Sequence, residues 1–287
     1  MSNSMIQTSD DASEDALDSH FSPQILRQKK LFARHHSLLW GAISILVTGA
    51  IWWAVATLGA VPSLYLPAPD IVWQQLLKVA TEGYMSATLW QHTFASLGRV
   101  LIALFAAILI GVPIGILMGT NRTIKAIFDP LLEFYRPIPP LAYLPLLVIW
   151  LGIGEVTKIT LIFLAILAPI IISTLQGIAT VSKSRQFAAL SLGATRSQLL
   201  WHVTLPSALP HILIGIRIGL GVGWSTLVAA ELIAATKGVG FMIQSAAQFL
   251  ATDIVILGIM VIAIIAFALE IMLRKIQTNL APWYGKY

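Results

Sequence analysis

Residues 38–69 contain no Asp, Glu, Lys or Arg, and that run limits what the chain can fold into. About 20 apolar residues span a bilayer as a helix. A first span is expected near 38–58, with Trp52 and Trp53 towards its far end, where interfacial aromatics sit. Further apolar stretches follow near 94–118, 124–150, 159–179, 211–235 and 254–272. Charged residues make up 11% of the 287, against about 25% in an ordinary soluble domain. The fold class expected is an all-α integral membrane protein with six transmembrane helices.

Six spans put both termini on one side. That side carries Arg27, Lys29, Lys30, Arg34, Arg122, Lys125, Lys183, Arg185, Arg196, Arg274, Lys275 and Lys286, twelve of the 18 Lys and Arg residues. The opposite loops hold Lys78, Lys158 and Lys237. Positive charge accumulates on the cytoplasmic face, so both termini are expected there. This distribution accounts for the net charge of +5 without nucleic acid as a partner. Residues 1–20 hold five acids, no Lys or Arg and no apolar core. They read as a disordered tail rather than a signal peptide.

The third apolar stretch is irregular. Pro130, Pro137, Pro139, Pro140 and Pro145 cannot share one straight helix, so a break is expected near 136–140. The segment 70–91 reads as an amphipathic surface element, and 237–253 as an outer connection. Gly111, Gly115 and Gly119, and again Gly215, Gly219 and Gly223, recur every fourth residue. That spacing lets a neighbouring backbone approach, and helix packing is the expected use. Glu133, Arg136, Arg217 and Glu231 fall in or near apolar segments, where a charge costs about 2.5–3.5 kcal/mol. Each must pair or face water. They are the candidate translocation-path residues, with salt bridges that fix helix positions as the competing reading. Glu133 and Arg136 could pair on one helix face. Arg217 and Glu231, about 21 Å apart along one helix, need other partners.

The polar island between the fourth and fifth spans is residues 187–206, FAALSLGATRSQLLWHVTLP. Ser182 or Ser184 can cap a first short helix, and Gly193 suits the left-handed position past its end. Thr195 with Gln198 has the spacing of a capping box for a second helix. Pro206 is expected to stop that helix and Pro210 to keep the chain from resuming at once. The product is a rigid exposed knob between membrane spans, suited to docking a partner.

The stretch resembles the EAA loop of permease subunits of bacterial ABC importers, Glu-Ala-Ala-x3-Gly-x9-Ile-x-Leu-Pro. Ala188, Ala189, Gly193, Leu205 and Pro206 match it, while Phe187 stands in place of the family's Glu and Val203 in place of Ile. Residues 135–155 and 217–236 are similar to the nitrate, sulfonate and taurine branch, and ATLWQH (87–92) and SAAQFLATD (245–253) are similar to its taurine importers. The resemblance implies the type I importer permease fold. A cytoplasmic tail with a basic end would occupy 1–37, the first span and a periplasmic segment 38–92, and a five-span core 93–275 with coupling helices at 182–206. A cytoplasmic tail would take 276–287. It further implies a second copy of the chain, two ATP-binding subunits, a periplasmic solute-binding protein and surrounding lipid. ATPase coupling would fall to Phe187, Ala188, Ala189, Leu190, Gly193, Ala194, Leu205 and Pro206. The solute would be taurine or another small anion of the branch, such as an aliphatic sulfonate or nitrate.

No Walker-type phosphate loop is present, so this chain is not expected to bind ATP at such a site; the resemblance implies that ATP and Mg sit in the partner ATPase, and no cofactor is expected in the chain itself. With no Cys and no ligand spacing among His92, His202 and His211, no metal site is expected. No nucleophile constellation suggests an enzyme. An ion-driven secondary transporter is the rival reading, with Glu133 and Glu231 as proton carriers.

Overall fold

The computed structural model describes residues 23–284, with side chains from Leu39 onward other than those of Ile233 and Ala234. The acidic segment read as a disordered tail lies outside the described residues. The chain divides into two compact units, 1–69 and 70–287. In the first, helix α1 (Pro23–Thr57) carries the basic run and the apolar run on one continuous element, and Leu39–Thr57 is long and apolar enough to cross a membrane. The proline-rich turn after it is tied back by Trp52, whose indole N–H donates to the Pro67 carbonyl at 3.1 Å.

The second unit opens with the amphipathic helix α2 (Pro69–Thr81), which buries Val72 and Val79 and exposes Trp73. Then comes α3 (Leu89–Thr120), started by a capping box of Thr88 and Gln91. The proline-rich stretch forms α4 (Arg122–Tyr135), a 3-10 turn (Pro140–Tyr143) and α5 (Leu144–Leu151), bent by 90° at the break. Next are α6 (Glu155–Ala179), α7 (Lys183–Ser191), α8 (Arg196–Leu199), α9 (Leu205–Ala234), α10 (Val239–Gln248) and α11 (Thr252–Leu280).

Helix α6 is the axis of this unit, because both glycine ladders lie against it. A Cβ placed on Gly115 would sit 2.6 Å from Thr174 Cβ, and one on Gly119 2.8 Å from Ile178. On the other side, a Cβ on Gly215 would come within 2.5 Å of Ser173, and one on Gly223 within 2.7 Å of Ile166. Only hydrogen fits at these positions, so three backbones pack at close range. Ile162, Ile166 and Ile170 of α6 fill the space between Val100, Ala103 and Ala107 of α3 and Leu213, Ile216 and Leu220 of α9.

The order of these contacts fixes direction. Gly111, Gly115 and Gly119 meet Ile170, Thr174 and Ile178 in turn, so α3 and α6 run parallel. Gly215, Gly219 and Gly223 meet Ser173, Ile166 and again Ile166, so α9 runs antiparallel to α6. Two parallel spans need a crossing between them. The bent α4–α5 pair therefore counts as a span, and the second unit has five.

Two sequence expectations are corrected. Pro206 does not end a helix, and Pro210 does not delay the next: the chain is helical from Arg196 to Ala234. A π turn at Leu200–Thr204 lets the Leu205 N–H reach the Leu200 carbonyl, five residues back. The widened turn places Pro206 among the first positions of α9, where its missing N–H costs little. Lys158 is not a loop residue: with Glu155 it lies in the first turn of α6, and it is buried. The connection 237–253 holds a helix of its own, α10, whose Met242 and Ile243 pack on Gly258 of α11. Helix α11 continues to Leu280, and Ala281 after it is buried.

Candidate functional site

Three polar features interrupt this apolar bundle: an elbow at one end of α6, an ion cluster at the other, and a groove beside the bent span. The elbow is built by capping. Ser182 Oγ accepts from the Arg185 N–H and starts α7. Gly193, at φ +84°, turns the chain at its end, while the Gly193 and Ala194 N–H groups donate to the Leu190 and Ala189 carbonyls. Thr195 and Gln198 complete a reciprocal capping box for α8, with the Thr195 N–H donating to Gln198 Oε1 at 2.8 Å. Arg185 Nη1 also donates to Ser207 Oγ, tying the elbow to the base of α9.

With its backbone satisfied internally, the elbow presents apolar side chains outward. Phe187 is 64% exposed, Leu192 90% and Trp201 64%, with Ala188 and Leu190 exposed beside them. Ala189, Ala194, Leu205 and Pro206 are half-buried at its base. Exposed apolar side chains gathered on a rigid element mark a contact surface. Tyr284, near the end of the described chain, packs edge-on against His211 of α9, on the elbow's side of the bundle.

At the opposite end, Arg99 of α3 is buried between two carboxylates. Its Nε and Nη2 donate to Glu155 at 2.6 and 2.8 Å, and its Nη1 donates to Glu231 Oε1 at 2.5 Å and to the Lys237 carbonyl at 2.8 Å. Lys158 Nζ donates to Glu155 at 3.0 Å. Glu231 is fully buried and also accepts from Ser96 Oγ at 2.7 Å and from the Gly240 N–H at 2.7 Å. Val239 N–H donates to Ser96, and His92 is hydrogen-bonded to Gly238 and to the Tyr84 carbonyl. Gly238 can take no side chain, because a Cβ there would collide with the Glu231 carboxylate. Every charge in the cluster is matched, so it ties α3, α6, α9 and the start of α10 together.

The groove lies between α4 and α6. A cavity of about 350 Å³ is lined by Tyr135, Arg136, Tyr143, Ser173 and Gln176 among others. A second of about 280 Å³ is lined by Lys125, Asp129, Glu133 and again Arg136 and Gln176. Tyr135 donates to the Leu164 carbonyl at 2.8 Å and lies 3.0 Å from the Tyr143 hydroxyl, which closes the corner behind the bend.

The four candidate path charges therefore separate. Glu133 and Arg136 are exposed on the groove, and neither has an ion-pair partner within 4.0 Å among the described residues. Arg217 is paired with Glu270 of α11 and hydrogen-bonded to Gln277 at 3.0 Å. Glu231 is sealed in the ion cluster. Sequence reasoning did not single out Arg99, Glu155, Lys158 or Glu270. For Arg99 the signal was available: it is the lone charge within the apolar stretch 94–118.

Residues 111–283 match the family described as binding-protein-dependent transport system inner membrane component. The taurine transport system permease protein of Escherichia coli (strain K12) is 59% identical over 255 residues, covering 88% of this chain and 92% of the relative. A putative aliphatic sulfonates transport permease protein of Bacillus subtilis (strain 168) is 34% identical over 260 residues, covering 91% and 93%. Among solved structures, the inward-facing MetNI methionine ABC transporter shares the fold, at a TM-score of 0.56 and 19% identity over 65% of this chain and 95% of that one. With five spans of its own in 70–287 and a sixth in α1, the chain is a multi-pass inner-membrane protein and belongs to the family of binding-protein-dependent transport system inner membrane components.

Proposed function

We propose that this chain is the membrane permease of an ATP-driven importer for taurine or a related sulfonate. The elbow carries the reading: it is a capped, internally satisfied element with Phe187, Leu190, Leu192 and Trp201 turned outward. The high identity to a permease named for taurine supports the solute class. Two copies of the chain pair in the lipid bilayer, two ATP-binding subunits hold ATP and Mg, and a periplasmic protein delivers solute. Nucleic acid has no part in it. Both termini and the elbow face the cytoplasm, a placement supported by the Lys and Arg distribution. Phe187, Ala188, Ala189, Leu190, Gly193, Ala194, Leu205 and Pro206 make or support the ATPase contact.

The mechanism follows from stiffness. Helix α6 is roughly 37 Å long by its 25 residues. It is clamped to α3 and α9 along both glycine ladders and to both again through Arg99. A displacement imposed at the elbow is therefore carried to the far end as a rigid-body movement rather than absorbed. The bent α4–α5 span, whose charges face the groove, is the element past which solute moves. Irregular backbone at membrane depth is tolerated where it borders protein or a water-filled path.

In cells, depleting ATP while an ion gradient is maintained is expected to stop uptake, whereas an uncoupler applied with ATP held constant leaves initial uptake rates largely intact. The reverse result would make the chain a secondary transporter.

A further inference from the structure

The charged side chains of the spans fall into two classes. Those between the ends of α3, α6 and α9 are all paired: Arg99, Glu155, Lys158, Arg217 and Glu231 each have an ion-pair partner. On α4 and its end the opposite holds. Glu133 and Arg136 line the same cavity, both exposed, without such a partner among the described residues. A charge kept within a span but left unpaired has to meet water or a ligand. A structural role is served by the paired class and does not explain the unpaired one.

The two groups differ in sign and lie three residues apart. Such helix positions have Cβ atoms about 5–6 Å from each other, a gap that a two-carbon zwitterion can bridge. Beside Arg136 the first cavity offers a neutral donor, the Ser173 hydroxyl, suited to a remaining oxygen of a tetrahedral anion. The second cavity carries both signs, with Lys125 and Asp129 beside Glu133 and Arg136.

We propose that Arg136 and Glu133 form a transient zwitterion site in the groove, with the guanidinium taking the sulfonate of the solute and the carboxylate its ammonium. The site rests on the importer reading above and deepens it. Glu133 becomes the residue that separates an aminosulfonate from a plain alkylsulfonate, and Arg136 the residue that both require. Among the described residues neither group has an ion pair to break on binding, so the site can load and release solute during one cycle.

The test uses the complete transporter in liposomes, with a cysteine introduced as Gln176→Cys on the cavity wall; the chain has no other cysteine. Taurine is expected to slow alkylation of this thiol more than ethanesulfonate, which has the same length and no ammonium. Adding Glu133→Gln should weaken protection by taurine about tenfold, the worth of one charge-assisted hydrogen bond, and leave protection by ethanesulfonate unchanged. Glu133→Asp should recover most of the difference, and Arg136→Gln should remove protection by both. Equal protection by the two solutes, or equal loss of both in Glu133→Gln, overturns the proposal. Absent protection alongside intact ATP-driven uptake also overturns it and leaves the importer reading standing. Loss of ATP dependence in the unsubstituted complex defeats that reading instead.

Discussion

Gly193→Asp is expected to cut solute uptake at least about tenfold while the chain still inserts in the membrane. The residue holds φ +84° and nothing lies within 4 Å of where a Cβ would point, so the folding cost is confined to the backbone. A left-handed conformation costs an L-residue about 1–2 kcal/mol, and Asp is among those that tolerate it best. By folding alone the substitution is mild. Its weight comes from the neighbours: Phe187, Leu190 and Leu192 are exposed on the same elbow. If that face closes against an ATPase, the new carboxylate is buried without a partner, at a cost of several kcal/mol. Uptake by the full complex should fall at least about tenfold, since 1.4 kcal/mol is already a factor of ten. Gly193→Asn, similar in shape but neutral, should keep most of the activity. Transport assays with immunoblots of the membrane fraction separate the outcomes, and wild-type uptake by Gly193→Asp would remove the elbow from the coupling path.

The second large effect is at the other end of α6. Arg99→Met leaves Glu231 fully buried with only Ser96 and the Gly240 N–H as donors. Removing one partner of a buried ion pair costs about 3–5 kcal/mol, because the remaining charge can reach neither water nor a counter-ion. Heat denaturation of the detergent-purified protein should move down by on the order of 10 °C. The double variant Arg99→Met with Glu231→Gln should recover most of that loss, since it removes the stranded charge as well as its partner. Glu155 keeps Lys158 in either case. A single variant that melts like the unsubstituted protein, or a double variant worse than the single, would mean that the cluster does not hold the helix ends together.

Local chemistry was legible in the sequence, and long-range pairing was not. Ser182, Gly193, Thr195 and Gln198 act through bonds to residues three positions away, so their spacing alone exposed the elbow. The break after Tyr135 was readable for the same reason, since four prolines crowd residues 137–145. The Arg99 cluster joins positions 56 and 132 residues apart, and no periodicity reports such a pairing. Glu231 could be recognised as costly but its partner could not. Pro206 misled because a proline signals a stop only when the ladder before it is regular. The π turn at Leu200–Thr204 shifts the hydrogen bonds so that the helix passes through. The glycine ladders showed that close packing was needed, yet not that both would use the two sides of α6.

On the proposed function, mechanical work enters this chain at the elbow from a separate ATPase. The direct measurement is uphill solute uptake into liposomes holding the purified chain, with and without the ATP-binding subunits, the solute-binding protein being supplied in both. Accumulation against a gradient is predicted only when those subunits and ATP are present. Uphill accumulation by the chain without them would contradict the account.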